Sequence, residues 1–392
     1  MKKSLIVQKF GGTSMGSIEN IHIVAEHIIR AKNDGNRVVV VVSAMSGETN
    51  RLMGLAQQVD CVPNARELDV LLSAGEQVSM ALLAMTLSKL GHSARSLTGG
   101  QANIITDGQH NDATIKHIDT SKIEQLLDDE QIIIVAGFQG INENGDITTL
   151  GRGGSDTSAV ALAGALKADE CQIFTDVDGV YSCDPRVVKS AQRLDVVDFP
   201  SMEEMARKGA KVLHLPSVQT AWQKQVPLRV LSTFNVNQGS LIKGEECKQA
   251  VCGVAIQRGL TLVSVIPESV EAIRKHCMML GVSVWDVVNE SSLLLKEDCL
   301  AKLQQVCEDK LLGYQCVSLL TVVGTAAEQL AEHTSQLLAP QDIDVVHVSM
   351  AKQSMSLVML PDCIDKAANI LHDAYITTAE AMDFHPKKAF LG

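Results

Sequence analysis

Phosphate and carboxylate chemistry needs cations, backbone N–H groups free of side-chain cover, and carboxylates set against them. Four segments of this sequence collect those residue types. Lys9-Phe10-Gly11-Gly12-Thr13-Ser14 follows a short apolar run and precedes a helical pattern. Paired glycines let a backbone approach an anion closely, and the N–H groups after them can line a phosphate nest. Lys9 then stands where it would neutralise charge on a transferring phosphoryl group. The order is not that of the G-x-x-x-x-G-K-[ST] loop, because the lysine precedes the glycines. A plain strand-to-helix turn would use the same two glycines.

Gly151-Arg152-Gly153-Gly154-Ser155-Asp156-Thr157 opens an apolar helix. A helix N-terminus favours anions. Capping by Ser155 or Asp156 would explain part of the segment, but not an arginine flanked by glycines. The third segment runs from Phe174-Thr175-Asp176 through Val180-Tyr181 to Asp184-Pro185-Arg186. Its carboxylates, tyrosine and arginine suit a nucleotide with its phosphates and metal. Asp178-Gly179 and Asp184-Pro185 are equally good turn formers, and both readings can hold together. The fourth is Ser43-Ala44-Met45-Ser46-Gly47-Glu48-Thr49, joined by Gly75-Glu76 inside an apolar helical stretch. A glutamate there is costly unless paired. Either a substrate ammonium or a structural Lys or Arg would pair with it.

The elements that must position these segments alternate strand and helix. Leu5–Lys9, the valine run Val38–Val42, Ile132–Ala136 and Cys171–Thr175 read as buried strands. Ile18–Lys32, Leu68–Leu90 and Ser155–Leu166 read as helices. This alternation predicts an α/β fold with a mostly parallel sheet between helix layers. All four segments lie at strand ends, where open α/β sheets bind ligands. A polar, turn-rich stretch, Asn235–Gly239 and Lys243–Lys248, predicts a linker. Beyond it the units are smaller. The expected order is strand Leu260–Ile266, helix Glu268–Leu280, strands Val282–Val288 and Ser291–Leu295, helix Glu297–Glu308 and strand Ser318–Val323. Helix Glu328–Leu338, strands Val345–Met350 and Ser354–Leu360, and helix Asp362–Ala374 then repeat the plan. The expected division is 1–245 and 254–392, the latter a tandem of about 254–315 and 316–392, possibly interleaved.

Composition narrows the class. A chain of 392 residues exceeds the usual size of one hydrophobic core. Its net charge of −12 and 12 aromatic residues argue against a nucleic-acid partner. No run of 18 apolar residues predicts a membrane span, and no signal-type segment opens the chain. The ten cysteines form no C-x-x-C pair, which predicts reduced thiols in a cytoplasmic protein and no structural zinc. Ten of the twelve arginines lie within residues 1–245, so anion chemistry is expected there.

With their order and spacing, the four segments resemble aspartate kinase, of the amino-acid kinase superfamily; Lys211-Val212-Leu213-His214 adds to the likeness. The resemblance runs through about residues 4–245. It implies a three-layer, carbamate-kinase-like catalytic domain followed by tandem ACT-like α+β domains. It implies ATP-dependent phosphorylation of the L-aspartate side chain, with ATP and Mg²⁺ as cofactors and ACT-mediated homodimers or larger assemblies. By resemblance Lys9, Gly11 and Gly12 hold the ATP phosphates, with Lys9 stabilising the transition state. Asp156 matches the catalytic acidic position, where it would orient Lys9 or a Mg²⁺–phosphate group. Ser43, Thr49, Glu76, Arg152, Gly153 and Ser155 match aspartate-contacting positions. Thr175, Asp176, Tyr181, Arg186 and Lys211 match nucleotide-contacting ones. No residue is assigned as a direct metal ligand.

Two departures stand out. The family pattern Leu-His-Pro-Arg reads Leu213-His214-Leu215-Pro216-Ser217 here, so a basic residue is lost and no role is assigned beyond Lys211. The ACT effector loop normally carries an aspartate and a glycine, whereas Val265-Ile266-Pro267-Glu268-Ser269-Val270 has neither. With Asp342-Ile343-Asp344-Val345 where paired asparagines are usual, weakened feedback control is expected. The competing functions are another amino-acid kinase, of the glutamate type, and a non-catalytic amino-acid sensor.

Overall fold

The computed structural model describes residues 3–235, 237–247, 249–279, 282 and 284–377. Leu280 and Ser283 of the expected helix and strand, and Val236 and Lys248 of the expected linker, lie outside these. The chain forms two compact units. Unit 1 comprises the chain up to Val180 with Leu194–Phe199 and Val212–Glu245; unit 2 comprises Tyr181–Arg193, Pro200–Lys211 and the chain from Glu246. Two stretches of the expected first segment therefore cluster with the C-terminal part. Arg186, Arg193 and Arg207 go with them, and the arginine split of ten to two becomes seven to five.

Unit 1 begins with β1 (Leu5–Phe10), α1 (Ile18–Asn33), β2 (Arg37–Val42), α2 (Glu48–Val59) and α3 (Ala65–Lys89). β3 (Ala94–Leu97), β4 (Ile104–Thr106), β5 (Ile115–Ile118), α4 (Ser121–Asp128) and β6 (Ile132–Ala136) follow. Then come β7 (Gln139–Ile141), β8 (Ile147–Thr149), α5 (Gly154–Leu166) and β9 (Glu170–Thr175). β10 (Val180–Tyr181) and β11 (Arg193–Leu194) each have one residue in either unit, and α6 (Phe199–Arg207) belongs to unit 2 from Pro200 onward; β12 (Val196–Val197), α7 (Leu215–Lys224), β13 (Leu228–Ser232) and β14 (Ser240–Ile242) close unit 1. Eight strands form one sheet in the order β12-β14-β13-β9-β1-β2-β6-β3. All its pairings are parallel except β13 with β14.

The central strands are continuous apolar runs because helices cover both faces. Phe10, Val38, Val40, Val42, Ile132 and Ile134 pack with Ile21, Val24, Ile28, Leu83 and Leu87 of α1 and α3. α5 packs against β1, β2 and β9, with α7 outside it. A separate four-stranded sheet, β5-β4-β7-β8, lies beside α3. α3 has the length and composition of a membrane span, yet it is a core helix carrying the buried Asp69 and Glu76.

Unit 2 holds β15 (Gly253–Val265), α8 (Val270–Met279), β16 (Val284–Asn289), β17 (Ser292–Lys296), α9 (Leu300–Cys307) and β18 (Leu311–Val323). α10 (Ala331–Leu338), β19 (Val345–Ala351), β20 (Ser354–Met359) and α11 (Ile364–His372) complete it. Six strands form one antiparallel sheet, β16-β17-β15-β18-β20-β19. This is the tandem ACT-like arrangement, with two 13-residue strands shared by both halves. β15 extends seven residues before the expected start. At Gln257-Arg258-Gly259 the strand carries a bulge, with Gly259 at φ +68°, and pairing to β18 resumes at Leu260. β18 likewise begins at Leu311 rather than Ser318, because Tyr314, Gln315 and Cys316 are exposed and hide the apolar pattern.

Candidate active site

The C-terminal ends of β1, β2 and β6 and the N-terminus of α5 surround a cavity of about 880 Å³. Lys9, Gly12, Ser43, Thr49, Glu76, Arg152, Gly153, Ser155 and Asp156 all line it. Nine positions dispersed over 148 residues of sequence thus converge within unit 1.

Lys9 and Asp156 form the charged centre. Their Nζ and Oδ1 are 2.6 Å apart and both side chains are about nine-tenths buried. This is a buried ion pair, and a carboxylate oxygen has lone-pair capacity for a further partner beside the ammonium. Gly11 and Gly12 have ordinary φ values; their value is room. A Cβ on Gly11 would lie 3.4 Å from Lys9 Nζ, and one on Gly12 would lie 3.2 Å from the Ala44 carbonyl oxygen. The Gly11 N–H donates to the Phe174 carbonyl at 3.2 Å and the Ser43 N–H to the Phe10 carbonyl at 3.0 Å, tying the loops after β1, β2 and β9 together.

α5 starts differently from the capping expectation. Its N-cap is Gly153 at φ +73°, with no side-chain cap, and Ser155 and Asp156 lie inside the first turn. The left-handed glycine turns the chain so that Asp156 reaches Lys9 and Arg152 stays exposed at the cavity rim. Among the described residues nothing hydrogen-bonds or ion-pairs with the Arg152 side chain.

Glu76 sits midway along α3, with its side chain buried. Its Oε1 accepts from the Ala44 N–H at 3.1 Å, while Oε2 has no partner. Helix and loop come this close because residue 75 is glycine: a Cβ there would lie 2.8 Å from that of Ala44. Burial pushes the Glu76 carboxyl up to about 7, partly offset by the Ala44 N–H. Among the described residues no Lys or Arg pairs with Glu76, so the structural ion pair is not formed.

The remaining expected residues lie elsewhere. Thr175 ends β9 and Asp176 follows it, both outside the cavity lining, with the Thr175 hydroxyl donating to Asp176 at 3.0 Å. Tyr181, Arg186 and Lys211 belong to unit 2, where Arg186 pairs with Asp184 at 2.7 Å. Sequence reasoning missed several wall residues, among them Asn111, Phe138, Thr149 and His214. His214, left without a role, stacks where any Cβ on Gly153 would have to sit. Phe138 follows β6 at φ +68°, a left-handed conformation rare outside glycine, held by the Ser158 hydroxyl accepting from its N–H at 3.1 Å. Asp69 was also missed, although it lies seven residues before Glu76 and so on the same face of α3.

Residues 4–232 match the amino acid kinase family. The chain is 42% identical to an aspartate kinase of Pseudomonas putida, covering 96% of this chain and 99% of that protein. It is also 42% identical to an aspartokinase of Geobacillus stearothermophilus, covering 96% and 98%. The fold matches E. coli aspartokinase III in complex with aspartate and ADP, with a TM-score of 0.77 at 23% identity over 95% of this chain and 100% of that one. An aspartate kinase from Synechocystis superposes with a TM-score of 0.58 at 32% identity, over 95% and 69%. Identity of this extent along nearly the whole chain, on a matching fold, places the polypeptide among the aspartate kinases of the amino acid kinase family.

Proposed function

We propose that this protein transfers the γ-phosphoryl group of ATP to the side-chain carboxylate of L-aspartate, giving 4-phospho-L-aspartate and ADP. This is the first step towards lysine, threonine and methionine, or ectoine. The observation that carries the reading is the convergence of the Lys9–Asp156 pair, Glu76 and Arg152 on one cavity.

The attacking carboxylate is already ionised at neutral pH, so no general base is needed. Catalysis is then positioning plus charge stabilisation. Glu76 Oε2 takes the substrate ammonium, which draws its own carboxyl into the ionised form. Arg152 takes a carboxylate in its two-pronged grip, with Ser43, Thr49, Gly153 and Ser155 completing the pocket. Gly12 offers its backbone N–H to the phosphates, while Gly11, whose own N–H is held by the Phe174 carbonyl, keeps the approach to Lys9 clear. Lys9, released in part from Asp156, follows the charge that builds on the phosphoryl oxygens. Thr175, Asp176, Tyr181, Arg186 and Lys211 are proposed for the nucleotide on the motif likeness.

Magnesium is bound mainly by phosphates and one or two carboxylates. Among the described residues no cluster of three acidic, His or Cys side chains forms a cage. The lone-pair capacity of buried Asp156 Oδ1 beside Lys9 fits a nucleotide-borne Mg²⁺. When bound, the ion neutralises phosphate charge. We further propose a cytoplasmic homodimer or larger assembly joined through the ACT-like region.

ADP release coupled to a reporter, with hydroxamate trapping of the acyl phosphate, tests the reading. Turnover is expected with L-aspartate and Mg·ATP. Turnover with L-glutamate instead selects a glutamate-type kinase, and none with either selects a non-catalytic sensor.

A further inference from the structure

Four buried charged side chains stand out in unit 1, and the chemistry above uses three of them. The fourth is Asp69, on α3, completely removed from solvent. Its carboxylate accepts from Thr149 Oγ1 at 2.5 Å, from His110 Nδ1 at 2.6 Å, and from the Asn111 backbone N–H at 3.1 and 3.2 Å. Its acceptor capacity is therefore well used, which is what permits a carboxylate to be buried there.

The donors come from two separate stretches. Thr149 ends β8, three residues before Arg152. His110 and Asn111 belong to the turn behind the cavity, where Asn111 is held at φ +67°. Gly151 passes against that turn: a Cβ on it would lie 2.8 Å from Asp112 Oδ1 and 3.4 Å from the Asn111 carbonyl oxygen. Asp69 thus clamps the strand end that launches the Gly151-Arg152 loop and the turn that backs it. The Arg152 side chain has no hydrogen bond or ion pair of its own among the described residues. Its place is set by the backbone that carries it, and that backbone is set by the clamp.

We infer that Asp69 is a positioning residue for aspartate binding, acting through Thr149 and the His110-Asn111 turn on Arg152. The inference rests on the reading of Arg152 as a substrate-carboxylate ligand. Because Asp69 and Glu76 share a face of α3, one helix would then hold both ends of the amino acid, Glu76 directly and Asp69 at one remove.

The test is steady-state kinetics on the full-length enzyme, with KM for L-aspartate and for Mg·ATP measured separately. Asp69→Asn keeps the shape but cannot accept all the donors. It is expected to raise KM for aspartate about 10-fold or more, as loss of charge-assisted bonds implies, and to leave KM for ATP within about two-fold. Thr149→Val removes one donor and is expected to move the same constant in the same direction by less. It also serves if Asp69→Asn fails to fold. His110→Asn, which retains a donor near the Nδ1 position, should restore most of what His110→Ala loses. The deciding variant joins Asp69→Asn or Thr149→Val to Arg152→Ala. With Arg152 gone, the clamp substitution should add less than about two-fold to KM for aspartate, since its route is already cut. Full additivity, or equal rises in both KM values, would overturn the positioning role. If Arg152→Ala alone leaves KM for aspartate unchanged, the reading of Arg152 falls, and the clamp inference with it.

Discussion

Every buried Lys, Asp or Glu among the described residues lies in unit 1: Lys9, Asp69, Glu76 and Asp156. Three of these four line a cavity, and Glu76 keeps a side-chain oxygen without a hydrogen bond. In unit 2 the buried polar side chains are hydroxyls and one histidine; the Thr261 and Ser318 hydroxyls have no partner, and others meet one another. Ser182 bonds His372 at 2.8 Å, Thr321 bonds Ser356 at 2.9 Å, and Thr334 bonds Tyr375 at 2.8 Å. Burial pushes the His372 ring below its ordinary value. Unsatisfied buried charge costs stability and persists where a ligand will complete it. Unit 1 buries charge around a cavity, whereas unit 2 buries no Lys, Asp or Glu among the described residues.

The contrast breaks first at Lys9. Lys9→Ala is expected to lower kcat by about 10²–10³-fold or more, the usual loss for a group aimed at transition-state charge. It should also lower the melting temperature, because Asp156 is left buried without its partner. In Lys9→Ala/Asp156→Ala the stability should return while turnover does not. A single variant with near-normal kcat would remove unit 1's charged centre from the chemistry.

Glu76 gives the next effect, and its sign can be worked out. The unfolded chain releases the proton near the ordinary value of 4.5, whereas the folded, empty protein holds it to about 7. The stability this contributes is complete at low pH and is lost as pH rises through the folded value. Glu76→Gln should therefore melt above the parent at about pH 8 and beside it at about pH 4. An ammonium in the pocket reverses the preference, so the parent's KM for aspartate should rise as pH falls below about 7. Glu76→Gln should raise that KM by about 10–100-fold, the cost of stranding one member of a buried pair, and flatten its pH dependence. A parallel pH response in both proteins would show that Glu76 does not meet the ammonium.

These charges were legible in unequal measure. The glycine-flanked Arg152 and the Lys9-Phe10-Gly11-Gly12 turn announce themselves because such combinations have few other uses. Asp69 does not, since its meaning depends on Thr149 and His110, which reach it across 80 and 41 residues. Arginine counting points to the right part of the chain for a mixed reason. Arg37, Arg51, Arg66 and Arg229 of unit 1 hold Asp128, Glu48, Asp146 and Glu170, so the excess reflects ion pairs more than ligand clamps. The central strands of unit 1 are plain in the sequence because both faces are apolar. The long strands of unit 2 are hidden by a bulge in β15 and an exposed half in β18.

A substitution in unit 2 should separate stability from chemistry. Leu294 on β17 is buried with Leu260, Val317, Leu319 and Val358. Leu294→Ala should cost about 2–5 kcal/mol of unfolding free energy, from the cavity it leaves. Both KM values of the protein that remains folded should stay within about two-fold, because no charged group is disturbed. Denaturant titration and kinetics on one preparation check this. A selective rise in KM for aspartate would show that the packing of unit 2 bears on the cleft.

The smallest expected effect is that of free amino acids. An effector carboxylate needs N–H groups or a free cation. At the end of β15 the turn Pro267–Ser269 begins with a residue that has no N–H, and the Ser269 N–H already donates to the Ile266 carbonyl at 2.8 Å. Glu268 adds a negative charge at that turn. The two arginines of the chain beyond residue 245 are both occupied, Arg258 by Asp365 and Arg274 by Glu271. Asp342, at φ +54°, and Asp344 place two more carboxylates before β19. Feedback coupling of ordinary strength changes affinity about 5–150-fold, whereas millimolar lysine or threonine, alone or together, should change the rate here by less than about two-fold. Strong inhibition by either would mean that unit 2 builds its anion site elsewhere, and that the charge contrast between the two units is incomplete.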